Sequence, residues 1–401
     1  MTGSDERSET DSDERLLTGY SGRVLIAISV GWALVQMGRL VLSPLLPTII
    51  EDLEITPSTA GLSLTLLWGL YALLQYPSGR LSDRLSRRTL LVGGLILAVT
   101  GFALFTVATT YPIFLVGIVV LGVGAGLYPT AARALVSDLF VERRGQAYGL
   151  HTASGDIGGA TAAGLAVVAL AVAVWQSAFL PIVVGLSAVA VALHVWGREP
   201  YRVERVPLEI RATARRLLSS SRTRRLLFAY TLYAFVWQGA TGFLPTFLQA
   251  EKAFTQGQAS AGFAVLFLVG AVVKPTAGTL GDRTDSRRLA AASMGLGALA
   301  LAGTILLEGL LVIGLALAVF AAGLMAVPPV LQAYLMDVFP DGTMGGDLGA
   351  MRTTYITLGA TGPTYVGVVG QYASYRLAFF GLVACLVVSG TILLALSFGG
   401  D

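Results

Sequence analysis

Apolar residues run along this chain in long unbroken blocks, unlike the alternation of a half-buried strand or the one-sided stripe of a surface helix. About 20 consecutive apolar residues carry a helix across a hydrocarbon layer, and blocks of that length recur from Val24 to Leu396. The pattern predicts twelve membrane-crossing helices, at about 23–47, 58–78, 89–110, 112–136, 145–172, 177–196, 225–249, 259–277, 289–307, 309–336, 348–371 and 376–396. One long polar interruption, Gly197 to Arg225, parts six helices from six. The predicted layout is an acidic, disordered tail over residues 1–20, a six-helix bundle over 21–196, a basic linker over 197–224 and a second six-helix bundle over 225–401.

Composition agrees with the pattern: 55% of residues are hydrophobic and 13% charged, too apolar for one soluble domain to bury. The first twenty residues are polar and acidic, so no cleavable leader is expected there. Cys385 is the single cysteine, lies in the last apolar block and reads as a packing residue. With two histidines, no clustered carboxylates and no nucleophile motif, a membrane-embedded enzyme is disfavoured, and neither cofactor nor metal is expected.

The arginines lie on one side. Connections sharing that side hold Arg80, Arg84, Arg87 and Arg88, then Arg143 and Arg144, the run from Arg198 to Arg225, and Arg283, Arg287 and Arg288. Opposite connections hold Glu51, Asp52, Glu54, Glu251 and Glu308, with Lys252 and Arg376. The positive-inside bias then places both termini and the middle loop in the cytoplasm of a multi-pass plasma (inner) membrane protein. The basic loop reads as an orientation signal and tether, and no nucleic-acid partner is expected.

A charged phrase occurs twice, about 200 residues apart: Gly79-Arg-Leu-Ser-Asp83-Arg84-Leu-Ser-Arg87-Arg88 and Gly278-Thr-Leu-Gly-Asp282-Arg283-Thr-Asp-Ser-Arg287-Arg288. Other echoes keep that offset: Leu46-Pro47 with Leu244-Pro245, Asp138 with Asp337, and Trp175 to Phe179 with Tyr375 to Phe379. Two like-oriented halves imply an axis along the membrane normal. The chain resembles the major facilitator superfamily from about Arg23 to Ser397, with Ser86 where the family's turn has its second glycine. The resemblance implies an all-α transporter of two six-helix bundles related by a pseudo-two-fold axis. Such a protein moves a small solute by alternating access, as a single chain, driven by a proton or a counter-solute. It also implies that Asp83 faces the start of helix 11, that Arg87 pairs with Asp138, and that these residues with Gly79, Arg84, Arg88, Gly278, Asp282, Arg283, Arg287 and Arg288 gate the cytoplasmic side. A glycine in each turn is expected where helices pack closely.

An ionisable group near the bilayer centre costs about 2.5–3.5 kcal/mol on insertion scales and is a functional candidate by default. Arg39 in helix 1 is the foremost, its planar fork suited to carboxylate, phosphate or nitrate oxygens. The organic-anion and organophosphate branches of the family are similar here, which points to an anionic substrate. Asp156 in helix 5 leaves three readings open: a structural pair with Arg39, a separate role beside an anion-binding Arg39, or proton-coupled exchange of partners. Arg133, Arg352 and Lys274 read as inner-gate residues, and His151 as packing or a second proton-coupling candidate. Gln36, Tyr128, Tyr233, Trp237, Gln238 and Gln332 are the uncharged candidates for the substrate cavity, chosen from helices that line it in the family. Against proton-driven drug efflux, Ala162-Ala163 replaces the Gly-Pro signature of helix 5 and Ile118 the helix 4 arginine of many proton-coupled members. Efflux of hydrophobic compounds remains the rival reading within the class, and a non-transporting membrane sensor the rival outside it.

Overall fold

The computed structural model describes residues 15–82, 86–202, 215, 217–339 and 344–398, and among these every regular element is helical. The crossings are span 1 (Gly19–Leu40 continued by Leu42–Asp52), span 2 (Pro57–Ser82), span 3 (Arg87–Thr106), span 4 (Tyr111–Leu139), span 5 (Arg144–Val172), span 6 (Leu180–Trp196, after a 3-10 turn at Trp175–Phe179) and span 7 (Ser221–Lys252). They continue with span 8 (Gln256–Gly281), span 9 (Ser286–Leu306), span 10 (Leu310–Val338), span 11 (Met344–Gly359 continued by Gly362–Tyr372) and span 12 (Tyr375–Phe398). Ten of the described helices are long and apolar enough to cross a membrane; span 7 and the broken span 11 are not among the ten.

Prolines account for the breaks. Pro44 has no N–H to give the carbonyl of Leu40, and the helix of span 1 is interrupted at Val41; Pro363 likewise offers nothing to Gly359, and span 11 is interrupted at Ala360–Thr361. Several spans run longer than the apolar blocks predict because capped ends carry them into the polar layer. Span 7 starts at Ser221 because Ser220 accepts from the Thr223 N–H, and span 8 opens with a capping box between Thr255 and Gln258. The tight join between spans 9 and 10 turns at Gly309, whose φ of +91° favours glycine.

Packing within the first six spans is echoed in the last six. Spans 3 and 4, 2 and 4, 1 and 5, and 3 and 6 lie side by side, as do 9 and 10, 8 and 10, 7 and 11, and 9 and 12. A carboxylate closes each group at the face opposite the arginines: Asp52 accepts from Trp175 Nε1 (2.8 Å), and Glu251 from the Arg376 N–H (3.2 Å), tying the end of the first span to the start of the sixth. Small residues permit the closest approaches, as the sequence suggests. A Cβ on Gly124 would lie 2.5 Å from the Ala98 nitrogen, and one on Gly126 2.8 Å from the Tyr71 carbonyl. The glycines of the charged turns are different. A Cβ on Gly79 would meet only Thr130 Cγ2 at 3.5 Å, and one on Gly278 only Pro329 at 3.9 Å, so close helix packing is not what they serve.

Ser86, the departure from the family's turn, is the N-cap of span 3: its side chain accepts from the Thr89 N–H. Ser86→Ala should therefore lower stability by about 1 kcal/mol, whereas Ser86→Gly should cost only a few tenths. Thermal denaturation of the purified variants in one detergent checks the order. In the second turn the extra residue has the same task. Asp285 caps span 9, accepting from the Arg287 and Arg288 N–H groups, and the Arg287 guanidinium holds its carboxyl below the usual carboxylate range with those backbone bonds adding to the effect.

Candidate functional site

The break in span 1 follows Arg39 by two residues, and the guanidinium is buried between spans 1 and 2. Trp68 and Tyr71, one turn apart on span 2, supply its surroundings: Arg39 Cζ lies 4.1 Å from the Trp68 ring centre and 3.7 Å from that of Tyr71. The far edge of this box comes from the other bundle, where Trp237 of span 7 meets Trp68 edge to face at 5.4 Å. Arg39 Nη1 donates to Gln36 Oε1 at 3.2 Å, while the buried Nε has no acceptor.

Asp156 is not the partner of Arg39, and the structural pair is overturned. Its Oδ1 lies 2.5 Å from Lys274 Nζ of span 8, both side chains largely withdrawn from solvent. The face of span 5 explains this. Gly155 and Gly158 sit against Trp32 and Ala33 of span 1 and Gly159 against Phe267 of span 8, so Asp156 between them is turned toward span 8. Lys274 is accordingly an ion-pair partner across the two bundles rather than a residue reaching for the surface.

Two further arginines come toward the Arg39 box. Arg133 of span 4 and Arg352 of span 11 are both within electrostatic reach of the Tyr71 and Tyr355 hydroxyls. Arg133 Nε donates to the Pro129 carbonyl (2.9 Å); the buried Nε of Arg352 has no acceptor. Among the described residues no carboxylate pairs with Arg39, Arg133 or Arg352. Oxyanions are what such a set can hold: three forks of N–H donors, aromatic walls and no competing acid.

The uncharged candidates divide. Gln36 and Trp237 belong to the Arg39 cluster. Gln238 bridges spans 7 and 11 by donating to the Ile356 carbonyl (3.0 Å), and its buried Oε1 has no donor. Tyr128 gives its hydroxyl to the Ile28 carbonyl (2.8 Å) and Tyr233 gives its own to Leu324 (3.0 Å), so each joins two spans of one bundle. Gln332 is half-buried on span 10. His151 is buried beside Trp32, with no partner at Nδ1. Sequence reasoning missed Trp68 altogether; the signal was an aromatic pair at i and i+3 on span 2. It also missed the Asp156–Lys274 match, although these are opposite charges deep within two apolar helices.

Of the charged turns, Asp83 and Arg84 lie outside the described residues, as do the side chains of Arg80 and Asp337. Arg87 Nε pairs with Asp138 Oδ2 at 3.0 Å, the contact that the family resemblance implies. Arg88 donates to the carbonyls of His194 and Glu199 and stacks on Tyr201, pinning the chain that leaves span 6. In the second turn Arg287 pairs with Asp285 at 3.0 Å and donates to the Leu396 carbonyl, whereas Asp282, Arg283 and Arg288 are exposed.

The bundles meet mainly away from the arginine-rich face. Ser43 donates to the Gly242 carbonyl (3.0 Å), Gln256 to Pro44 (2.7 Å), Thr65 pairs with Thr364 (2.7 Å), and Gln371 accepts from the Ser58 N–H (3.2 Å). Gly61 and Gly367 bring spans 2 and 11 into backbone contact there, a Cβ on either meeting the carbonyl of Pro363 or Pro57. At the arginine-rich end, residues 144–153 of span 5 are exposed at every position except Ala147 and His151, so little protein covers that end of the helix. The Asp156–Lys274 pair is the one hydrogen-bonded link between bundles, among the described residues, that lies deep along spans 5 and 8.

The sequence profile described as Major Facilitator Superfamily matches residues 28–363. The chain belongs to the Major Facilitator Superfamily. Among its curated relatives, the probable nitrate transporter of Staphylococcus carnosus is 23% identical over 61% of this chain and 63% of that protein. The probable sulfoacetate transporter of Cupriavidus necator is 26% identical over 66% of this chain and 65% of that one. The chain thus spans somewhat less than two thirds of either relative. In fold it is similar to the crystal structure of a bacterial homolog of the human lysosomal transporter Spinster, with a TM-score of 0.81 at 16% identity over 94% of this chain and 97% of that one. This major facilitator protein is therefore a multi-pass, all-α membrane protein of two six-helix bundles.

Proposed function

We propose that the protein is a secondary active transporter of a small organic or inorganic anion, moved by alternating access through the Arg39 site. The observation that carries this is a buried guanidinium with an unpartnered Nε, held by aromatic rings and, among the described residues, neutralised by no carboxylate. A buried charge left in that condition is costly unless a ligand supplies the counter-charge. Relatives described as nitrate and sulfoacetate transporters support the anion class. Arg133 and Arg352 add positive potential from both bundles, so the anion would be shared between them and released as they rock apart.

In this reading the seal around Ser43, Thr65 and Gln371 closes the outer side, and Arg87–Asp138 belongs to the gate on the cytoplasmic side. The arginine-rich face is cytoplasmic, as are both termini, and the membrane is the plasma membrane. The basic stretch of 197–224 tethers two bundles that act as a monomer. Asp156 and His151 are the groups available to carry a coupling proton, Asp156 exchanging it against Lys274, and a counter-solute is the other source of drive.

Uptake of radiolabelled nitrate, sulfonates and carboxylates into proteoliposomes tests the proposal. Saturable anion uptake, inhibited by a second anion and absent from empty liposomes, is expected. Resistance to hydrophobic cations on overexpression, with no anion flux, would instead establish drug efflux; tight anion binding without flux would establish a sensor.

A further inference from the structure

At the arginine-rich end of the last six spans, a cavity of about 400 Å³ opens between the start of span 7 and the end of span 12. Its polar end is built by Ser221, Arg224 and Arg225, and its walls by Phe228, Ile392, Ala395 and Leu396. Ser221, Arg224, Arg225 and Phe228 follow the i, i+3, i+4, i+7 spacing of one helix face, and all four are exposed. From Ser221 to Phe228 that face descends about 10 Å at a helical rise of 1.5 Å per residue. One wall therefore passes from charged to apolar over the depth at which headgroups give way to acyl chains.

In the first six spans a smaller cavity, of about 30 Å³, lies among the starts of spans 1 and 3 and the ends of spans 4 and 6. There the protein fills its own notch. Arg198 stacks on Tyr20 at 3.8 Å, Arg88 holds the Glu199 carbonyl, and Arg23 lies over Trp196. In the last six spans Arg287 on span 9 likewise donates to the Leu396 carbonyl and Arg288 lies over Phe398, while Arg224 and Arg225 are exposed. Arg224 spends one nitrogen on the carbonyls of Leu218 and Ser219, and Arg225 makes no hydrogen bond or ion pair.

We propose that the notch between spans 7 and 12 is a binding site for an anionic phospholipid, the phosphate held by Arg224, Arg225 and Ser221 and one acyl chain lying along Phe228, Ile392 and Leu396. Basic pockets between membrane helices on the cytoplasmic side suit such headgroups. The span 7 N-terminus adds N–H groups left over by the Ser220 cap. Free phosphate satisfies only the charged end and leaves the apolar walls bare.

Native mass spectrometry of the full chain, delipidated in detergent and titrated with phosphatidylglycerol, phosphatidylcholine or inorganic phosphate, tests the site. Phosphatidylglycerol should bind most tightly and resist competition by millimolar phosphate. Each arginine beside an anionic lipid contributes about a factor of five, so Arg224→Gln/Arg225→Gln should weaken binding roughly twenty-five-fold. Ala395→Trp, which fills the apolar wall and leaves both arginines, should weaken it as well and serves if the double variant does not fold. Equal phosphatidylglycerol retention by wild type and a folded variant overturns the proposal. Full displacement by phosphate, or equal binding of phosphatidylcholine, overturns it too, by reducing the notch to an anion site or an apolar crevice.

Discussion

Arg39→Met is expected to cut anion uptake about 100-fold while raising the melting temperature of the ligand-free protein. Transport falls because the substrate loses a charge-assisted donor in a site from which water is largely excluded; such bonds are worth about 1.5–3 kcal/mol each, and 1.4 kcal/mol is tenfold. Stability moves the other way, since Arg39 is buried with its Nε unpartnered and no carboxylate beside it. Replacing a buried charge by an apolar chain of similar length often stabilises by roughly 1–4 kcal/mol. Arg39→Lys should recover little transport, because an ammonium does not stack over Trp68 and Tyr71 as a planar guanidinium does. Initial rates in proteoliposomes and melting in detergent, read on the same preparations, decide the matter. Uptake within threefold of wild type for Arg39→Met would remove Arg39 from the site.

The second large effect concerns the ion pair between the bundles. Asp156→Asn and Lys274→Met should each destabilise the protein by about 2–3 kcal/mol, because each leaves a withdrawn charge without its partner. The double variant should return to within about 1 kcal/mol of wild type. Asp156→Asn/Arg39→Met should show no such recovery, its two effects simply adding, since the two residues do not touch. A double-mutant cycle on melting free energies measures both. A double loss equal to the sum of the two single losses at positions 156 and 274 would mean that the 2.5 Å contact contributes nothing.

Much of this arrangement could be read from the sequence, for reasons tied to particular residues. The crossings were legible because lipid demands long apolar blocks, and the halves because Gly79 to Arg88 returns at Gly278 to Arg288. Arg87–Asp138 came from the family resemblance and is present. Partner choice inside the membrane was less legible. Arg39 and Asp156 have opposite signs and lie in one half, which made pairing attractive; whether they meet depends on helix rotation, and Gly155 and Gly158 turn Asp156 away. Tyr128 and Tyr233 sit on cavity-lining helices by number, yet a rotation of about 100° per residue separates a lining position from one buried in its own bundle. Breaks in spans 1 and 11 were foreshadowed by Pro44 and Pro363, but their effect on Arg39 and Gln238 was visible only once neighbouring helices were placed.

The modest apolarity of span 7 bears on how the protein is made. Two of its polar side chains donate to carbonyls that the ribosome supplies later: Tyr233 to Leu324 of span 10 and Gln238 to Ile356 of span 11. When span 7 leaves the insertion machinery neither acceptor exists, and the helix is not among the ten that are long and apolar enough to cross a membrane. It is expected to lean on the finished first bundle, against Ser43 and Trp68, until the rest of its own bundle arrives. Biogenesis of the second half would then be templated by the first.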